Sequence, residues 1–90
     1  MANGYLGSSQ VLVSVGGKNI IDDKPSNWTH DYKLKKFSFN NEQNCTVKIN
    51  NQTTLFLKAG QGFEVDKGDF PITSFIIVEA EISYNWIGMF

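Results

Sequence analysis

The sequence predicts an all-β chain, a small antiparallel β-sandwich or jelly-roll-like barrel of about seven strands. Three observations lead there: short segments alternate apolar and polar residues with a period of two, Gly-, Pro- and Asn-rich turns separate them, and no segment combines a helical repeat with helix caps. Ninety residues allow one domain. A chain this short buries only about 60 to 65% of the surface its unfolded form exposes, so the core is near the lower limit. Seven Phe, three Tyr and two Trp offset part of that shortage, because one ring can bury roughly 150 to 250 Å².

Each element follows in order. Residues 1–9, MANGYLGSS, hold Gly and Ser around Tyr5 and Leu6 and read as a flexible N-terminal arm, which leaves the sandwich domain to residues 10–90. Val11, Val13 and Val15 fall on one side of a strand. Gly16-Gly17 tolerates the positive φ of a two-residue hairpin turn, with a return strand from Lys18 to Ile21. Residues 22–31 contain Pro25 and a run of turn formers, and are a loop that carries Trp28.

In YKLKKFSFN the apolar parity changes from even (Tyr32, Leu34) to odd (Phe37, Phe39), which predicts a β-bulge at Lys35-Lys36. CTVKIN points Cys45, Val47 and Ile49 inward. TTLFLKAG and GFEVDKG are two further strands joined at Gly60-Gln61-Gly62, and a turn ends at Pro71.

From Ile72 to Trp86 every even position except Ser74 is apolar, with Glu79, Glu81, Ser83 and Asn85 between them. A helix can be drawn through Phe75, Val78, Ile82 and Trp86, but β-branched residues and missing caps argue against it. Fifteen extended residues would span about 50 Å, whereas a compact domain of this size is about 30 Å across. The segment therefore either bends near Glu79-Ala80-Glu81 and serves two sheets, or runs out into a neighbouring molecule. Phe75 and Ile77 on the other face imply that its first half is covered on both sides. Trp86, Ile87, Met89 and Phe90 put four large apolar side chains among the last five residues, where chains are normally polar and frayed.

The usual signatures of chemistry are not in the sequence. The single histidine, His30, beside Asp31, has no serine in a nucleophile-elbow context to activate. One cysteine, Cys45, permits neither an intrachain disulfide nor a cysteine-based zinc site, and its inward parity reads as a buried structural thiol. Glu79 and Glu81 share a strand face, but that face is the outer one. Asp66-Lys67-Gly68-Asp69 offers too few oxygens for calcium, which takes 6 to 8, and AGQGF lacks the Lys-Ser/Thr of a phosphate loop. Three Asn-x-Thr acceptor patterns, at Asn27, Asn44 and Asn51, carry little weight without a secretory signal. No metal or other cofactor is expected.

A net charge of −1 with eight Lys and no Arg argues against nucleic acid as a partner. The Lys33, Lys35, Lys36 cluster is offset by Asp31 and Glu42. No apolar run approaches a membrane span and no signal-peptide pattern follows Met1, so synthesis in a cytoplasm and no membrane association are expected. What remains is apolar and aromatic surface. Trp28, with Trp86, Tyr84 and Asn-rich turns, suggests a platform on which a sugar could stack, making a carbohydrate-binding module the alternative reading.

The C-terminal half, CTVKINNQTTLFLKAGQGFEVDKGDFPITSFIIVEAEISYNWIG, resembles small β-sandwich structural proteins of tailed-bacteriophage particles. The likeness covers residues 45–88, as a strand, a polar turn, the AGQGF step, the D-x-P-I-x-S strand start and the closing Y-N-W-I-G. It implies a non-enzymatic virion component, a head decoration, collar or tail protein, whose partners are other copies of itself and neighbouring virion proteins. The residue reading points the same way, since burying apolar terminal side chains between subunits yields roughly 25 cal/mol per Å². The expected interface residues are Tyr5 and Leu6 in the arm, and Tyr84, Trp86, Ile87, Met89 and Phe90 at the C-terminus.

Overall fold

A computed structural model describes residues 4–21, 24, 26–29, 32–66 and 69–90. Among them nine strands alternate with turns: β1 (Tyr5–Gly7), β2 (Leu12–Val13), β3 (Lys18–Asn19), β4 (Lys36–Asn41), β5 (Cys45–Ile49), β6 (Thr53–Leu57), β7 (Phe63–Val65), β8 (Phe75–Ile77) and β9 (Ser83–Met89). They form two antiparallel sheets that face each other as a β-sandwich, with a radius of gyration of 12.5 Å and a longest dimension of 34 Å. One sheet has the order β1-β9-β4-β7, with β2 also pairing β9; the other has the order β3-β8-β5-β6. The count exceeds the expected seven because several strands are only two or three residues long.

Alternation builds the core. Phe37 and Phe39 of β4 and Tyr84 and Trp86 of β9 face inward from one sheet; Cys45, Val47 and Ile49 of β5 meet them from the other. Phe75 joins the layers, its ring centroid 4.6 Å from Phe39, 4.9 Å from Phe37 and 5.8 Å from Phe63. Full burial of such a ring stabilises by about 2 to 3 kcal/mol, so this cluster supplies what a 90-residue chain lacks in volume.

The predicted bulge is present. Lys36 stands opposite Met89 in the ladder, while the N–H of the preceding Lys35 also donates to the Met89 carbonyl, at 2.6 Å. Two residues against one shift the parity, and Leu34 and Phe37 both become buried.

The long C-terminal segment bends where its length demands. β8 lies in one sheet and β9 in the other; between them Glu81 adopts a left-handed φ of 64°. The expected inward parity of Ile76, Val78 and Ala80 is corrected: Phe75 and Ile77 face the core, Ile76 is half-buried, and Val78 and Ala80 are exposed. The even positions return to the core only after the bend, at Ile82, Tyr84 and Trp86.

Two further expectations are corrected. Gly16-Gly17 forms a turn, with the Lys18 N–H donating to the Val15 carbonyl at 3.1 Å, but not a hairpin. β2 pairs β9 and β3 pairs β8, so the turn carries the chain from one sheet to the other. The second concerns residues 1–9. Tyr5–Gly7 is a strand of the five-stranded sheet, in register Tyr5↔Met89 and Gly7↔Ile87, and the Gly4 and Phe90 backbones exchange two hydrogen bonds. The polar composition hid a strand that one long central partner suffices to hold.

Candidate functional site

The C-terminal strand lies inside the sheet. β9 is flanked by β4 along one edge and by β1 and β2 along the other, so its backbone has no free side for another molecule. Strand alternation divides the seven residues expected at an interface. Tyr84 and Trp86 are 7% and 5% exposed, in contact with Phe39 and Phe37. Leu6 packs on the core, and Phe90 lies against Tyr32 and Trp28 with centroids 4.7 and 5.8 Å away. The chain's own two layers cover Tyr84 and Trp86, while Leu6 and Phe90 are half-buried against the same core. Tyr5, Ile87 and Met89 turn the other way and meet on the outer face of the five-stranded sheet, where Tyr5 and Ile87 are exposed and Met89 is half-buried.

The rings grouped with Trp28 in the sequence are separated. Trp28 is half-buried, 4.9 Å from Tyr32 in a tilted arrangement, while Trp86 and Tyr84 lie in the core. Phe90 packs edge to face on both Trp28 and Tyr32 to make a small second cluster, which does not offer one flat shared platform.

The polar candidates have structural employment. Every N–H of the AGQGF step from Lys58 to Gly62 is taken internally: Lys58 by Gln61 Oε1, Ala59 by Asn44 Oδ1, Gly60 by the Asn41 carbonyl, Gln61 by the Lys58 carbonyl and Gly62 by Asn41 Oδ1. None is left to cradle a phosphate. Glu79 and Glu81 diverge at the bend, and Glu79 Oε1 accepts the Thr46 N–H at 2.7 Å. Partial burial pushes the Glu79 carboxyl up, yet the hydrogen bonds from Thr46 outweigh it and hold the group below its usual range. Burial raises the Cys45 thiol, the Glu79 charge adds to that, and a hydrogen bond with Asn41 works against both. No three His, Cys, Asp or Glu side chains among the described residues lie where they could hold a metal ion. His30, Asp31, Lys67 and Gly68 fall outside the described residues.

Asn41 is the polar residue whose role the sequence does not announce. It is fully buried at the end of β4; its amide donates to the carbonyls of Gln43, Leu57 and Lys58 while its oxygen accepts from Gly62. One side chain thereby fixes the crossing from β6 in one sheet to β7 in the other. Asn-rich turns hold a second such hub: Asn50 Oδ1 accepts from Thr73 and Ser74, and its amide donates to Pro71.

The surface that does stand open is the end of the sandwich where β6 and β7, the outer strands of the two sheets, leave a groove of about 1090 Å³. Leu55, Phe63, Val65 and Ile72 form its apolar lining, Glu64 and Asp69 its acidic rim, and Phe70 stands 89% exposed beside it. Phe56, on the outer side of β6, is 59% exposed. A second exposed row is Val11, Val13 and Val15: they share one side as expected, but it is the outer side, because Ser14 turns in to bond the Glu79 carbonyl and the Ile82 N–H. No protein-family model, curated protein or solved structure matches the chain.

Proposed function

We propose that this chain is a non-enzymatic structural component of a tailed-phage particle, a head decoration, collar or tail protein that acts through contacts between subunits. The observation that carries the reading is large apolar side chains held outward on ordered strands: Tyr5 and Ile87 on one sheet, Phe56 on the other. Side chains fixed on a ladder lose little further freedom on association, so a contact there keeps more of its hydrophobic gain than one made by a loop. The resemblance of residues 45–88 to virion proteins supplies the setting. The rigid two-layer core supports it, since a building block used in many copies needs one unchanging shape.

An antibody against the purified chain, applied to density-gradient fractions of lysates containing assembled particles, tests the proposal. The expected result is signal in the particle fractions; signal confined to the slow, free-protein fractions contradicts it.

A further inference from the structure

We infer that β6 is a self-complementary edge through which two copies of this chain pair, joining their four-stranded sheets into one continuous sheet. The inference rests on the assembly reading above and names the contact it uses.

The direction of the backbone groups comes first. The Thr46 carbonyl accepts from Val78 and the Asn50 N–H donates to Ser74, so the even-numbered backbone groups of β5 face β8. Alternation turns those of Cys45, Val47 and Ile49 toward β6, where they stand opposite Leu57, Leu55 and Thr53. The N–H and C=O of Thr54 and Phe56 therefore point off the sheet. No strand pairs with that edge among the described residues, and it ends at Lys58, whose N–H is capped by Gln61.

The edge also lacks the features that normally keep such strands apart. Thr53–Leu57 contains no charge, no Pro and no bulge, and Thr53 to Phe56 are all exposed. An antiparallel two-fold pairing centred on Leu55 places Thr54 opposite Phe56 of the second copy and Phe56 opposite its Thr54. That register satisfies all four outward backbone groups on each copy and sets the two Leu55 side chains against each other as a close, non-hydrogen-bonded pair. Lys58 then lies opposite Gln52. The two Lys48 are three strand spacings and two residues apart, about 16 Å, and Lys58 stands about 12 Å from the second copy's Lys48, both beyond the Debye length of about 8 Å at physiological salt.

The area sets the strength. Phe56 exposes 59% of its surface and Leu55 36%, which with the backbone edge comes to less than half of the roughly 800 Å² per partner of a standard interface. The pairing is consequently weak for a free pair, with a dissociation constant of order 100 µM. In a multicopy particle, effective concentrations in the millimolar range make such a contact sufficient.

Sedimentation velocity from about 10 µM to about 1 mM brackets a contact of this strength. The wild-type chain is expected to move from monomer to dimer. Thr54→Pro removes only an outward N–H and should keep the monomer value throughout. Leu55→Cys, read on an oxidised non-reducing gel, should cross-link at least tenfold faster than Gln52→Cys, whose two copies would stand about 20 Å apart along the strands; Cys45 is buried and does not compete. A wild-type chain that stays monomeric, a Thr54→Pro variant that dimerises unchanged, or equal cross-linking at the two positions overturns the pairing. Particle association that is lost in Thr54→Pro although the wild type is monomeric overturns it as well, and assigns the edge to a strand of another virion protein. Absence from particles, by contrast, overturns the assembly reading while leaving the pairing to stand on these measurements.

Discussion

The Glu79 carboxylate lies 2.7 Å from the backbone nitrogen of Thr46, so the side chain at the bend between β8 and β9 caps the start of β5. The folded state thereby holds the charged carboxylate better than the unfolded chain does. Its stabilising contribution is present above the unfolded value of 4.5 and is lost as pH falls through the lower folded value. Glu79→Gln should lower the melting temperature by about 2 to 4 °C at neutral pH, after allowance for solvent screening. The gap between variant and wild type should begin to shrink as pH falls below 4.5 and close once the folded carboxyl is protonated, and a gap that stays constant throughout acidification would rule out the carboxylate as its source.

Asn41→Ala should be among the most damaging polar substitutions in the chain. It strands the Gly62 N–H beside a buried void and takes one hydrogen bond from each of the Gln43, Leu57 and Lys58 carbonyls. Each unsatisfied buried group costs about 1 to 3 kcal/mol, so a loss of about 3 kcal/mol is expected in urea unfolding. A loss below 1 kcal/mol would mean that water replaces the amide at the sheet crossing.

Trp28→Ala separates packing from ligand stacking. Removing the indole takes one ring partner from each of Tyr32 and Phe90, which keep each other, with an expected loss of about 1 to 2 kcal/mol for a half-buried aromatic. No change is expected on a glycan array. Unaltered stability together with lost binding to a defined glycan would move this residue from the packing of the termini to a sugar site.

Deleting residues 86–90 should abolish cooperative folding. The deletion removes Trp86 from the core and takes away the ladder partners of Lys36 to Phe39, Tyr5 and Gly7. Circular dichroism is expected to lose its sheet signal, with no sharp thermal transition. A folded, cooperatively melting product would place the C-terminal strand outside the essential fold.

Local pattern was legible wherever one strand face is buried. The alternation in Cys45–Ile49, the parity change at Lys35-Lys36 and the clash between segment length and domain size at residues 72–86 each have a local or geometric cause, and each appears in the fold. Pairing was not legible, because which strand lies beside which depends on contacts many residues apart. That is why Gly16-Gly17 reads as a hairpin yet makes a corner, and why Tyr5–Gly7 reads as an arm yet pairs with β9. The Val11, Val13, Val15 row shares one side as its spacing predicts, and which side that is was not legible: the Ser14 hydroxyl joins two backbone groups at the bend and takes the inner side. The β6 edge has no sequence signal of its own, since being an edge is a property of the sheet and not of TTLFL.

The account turns on a subunit that is complete in itself, with β9 at its centre and only edges and outer faces left for partners. Amide hydrogen exchange in a dilute, monomeric sample measures this directly. Amides along β9 from Asn85 to Met89 should be among the slowest in the chain, exchanging with the free energy of global unfolding, while Thr54 and Phe56 on the open side of β6 exchange quickly. Rapid exchange across Asn85–Met89, at the rate of a frayed terminus, would contradict it and return the C-terminal strand to a neighbouring molecule.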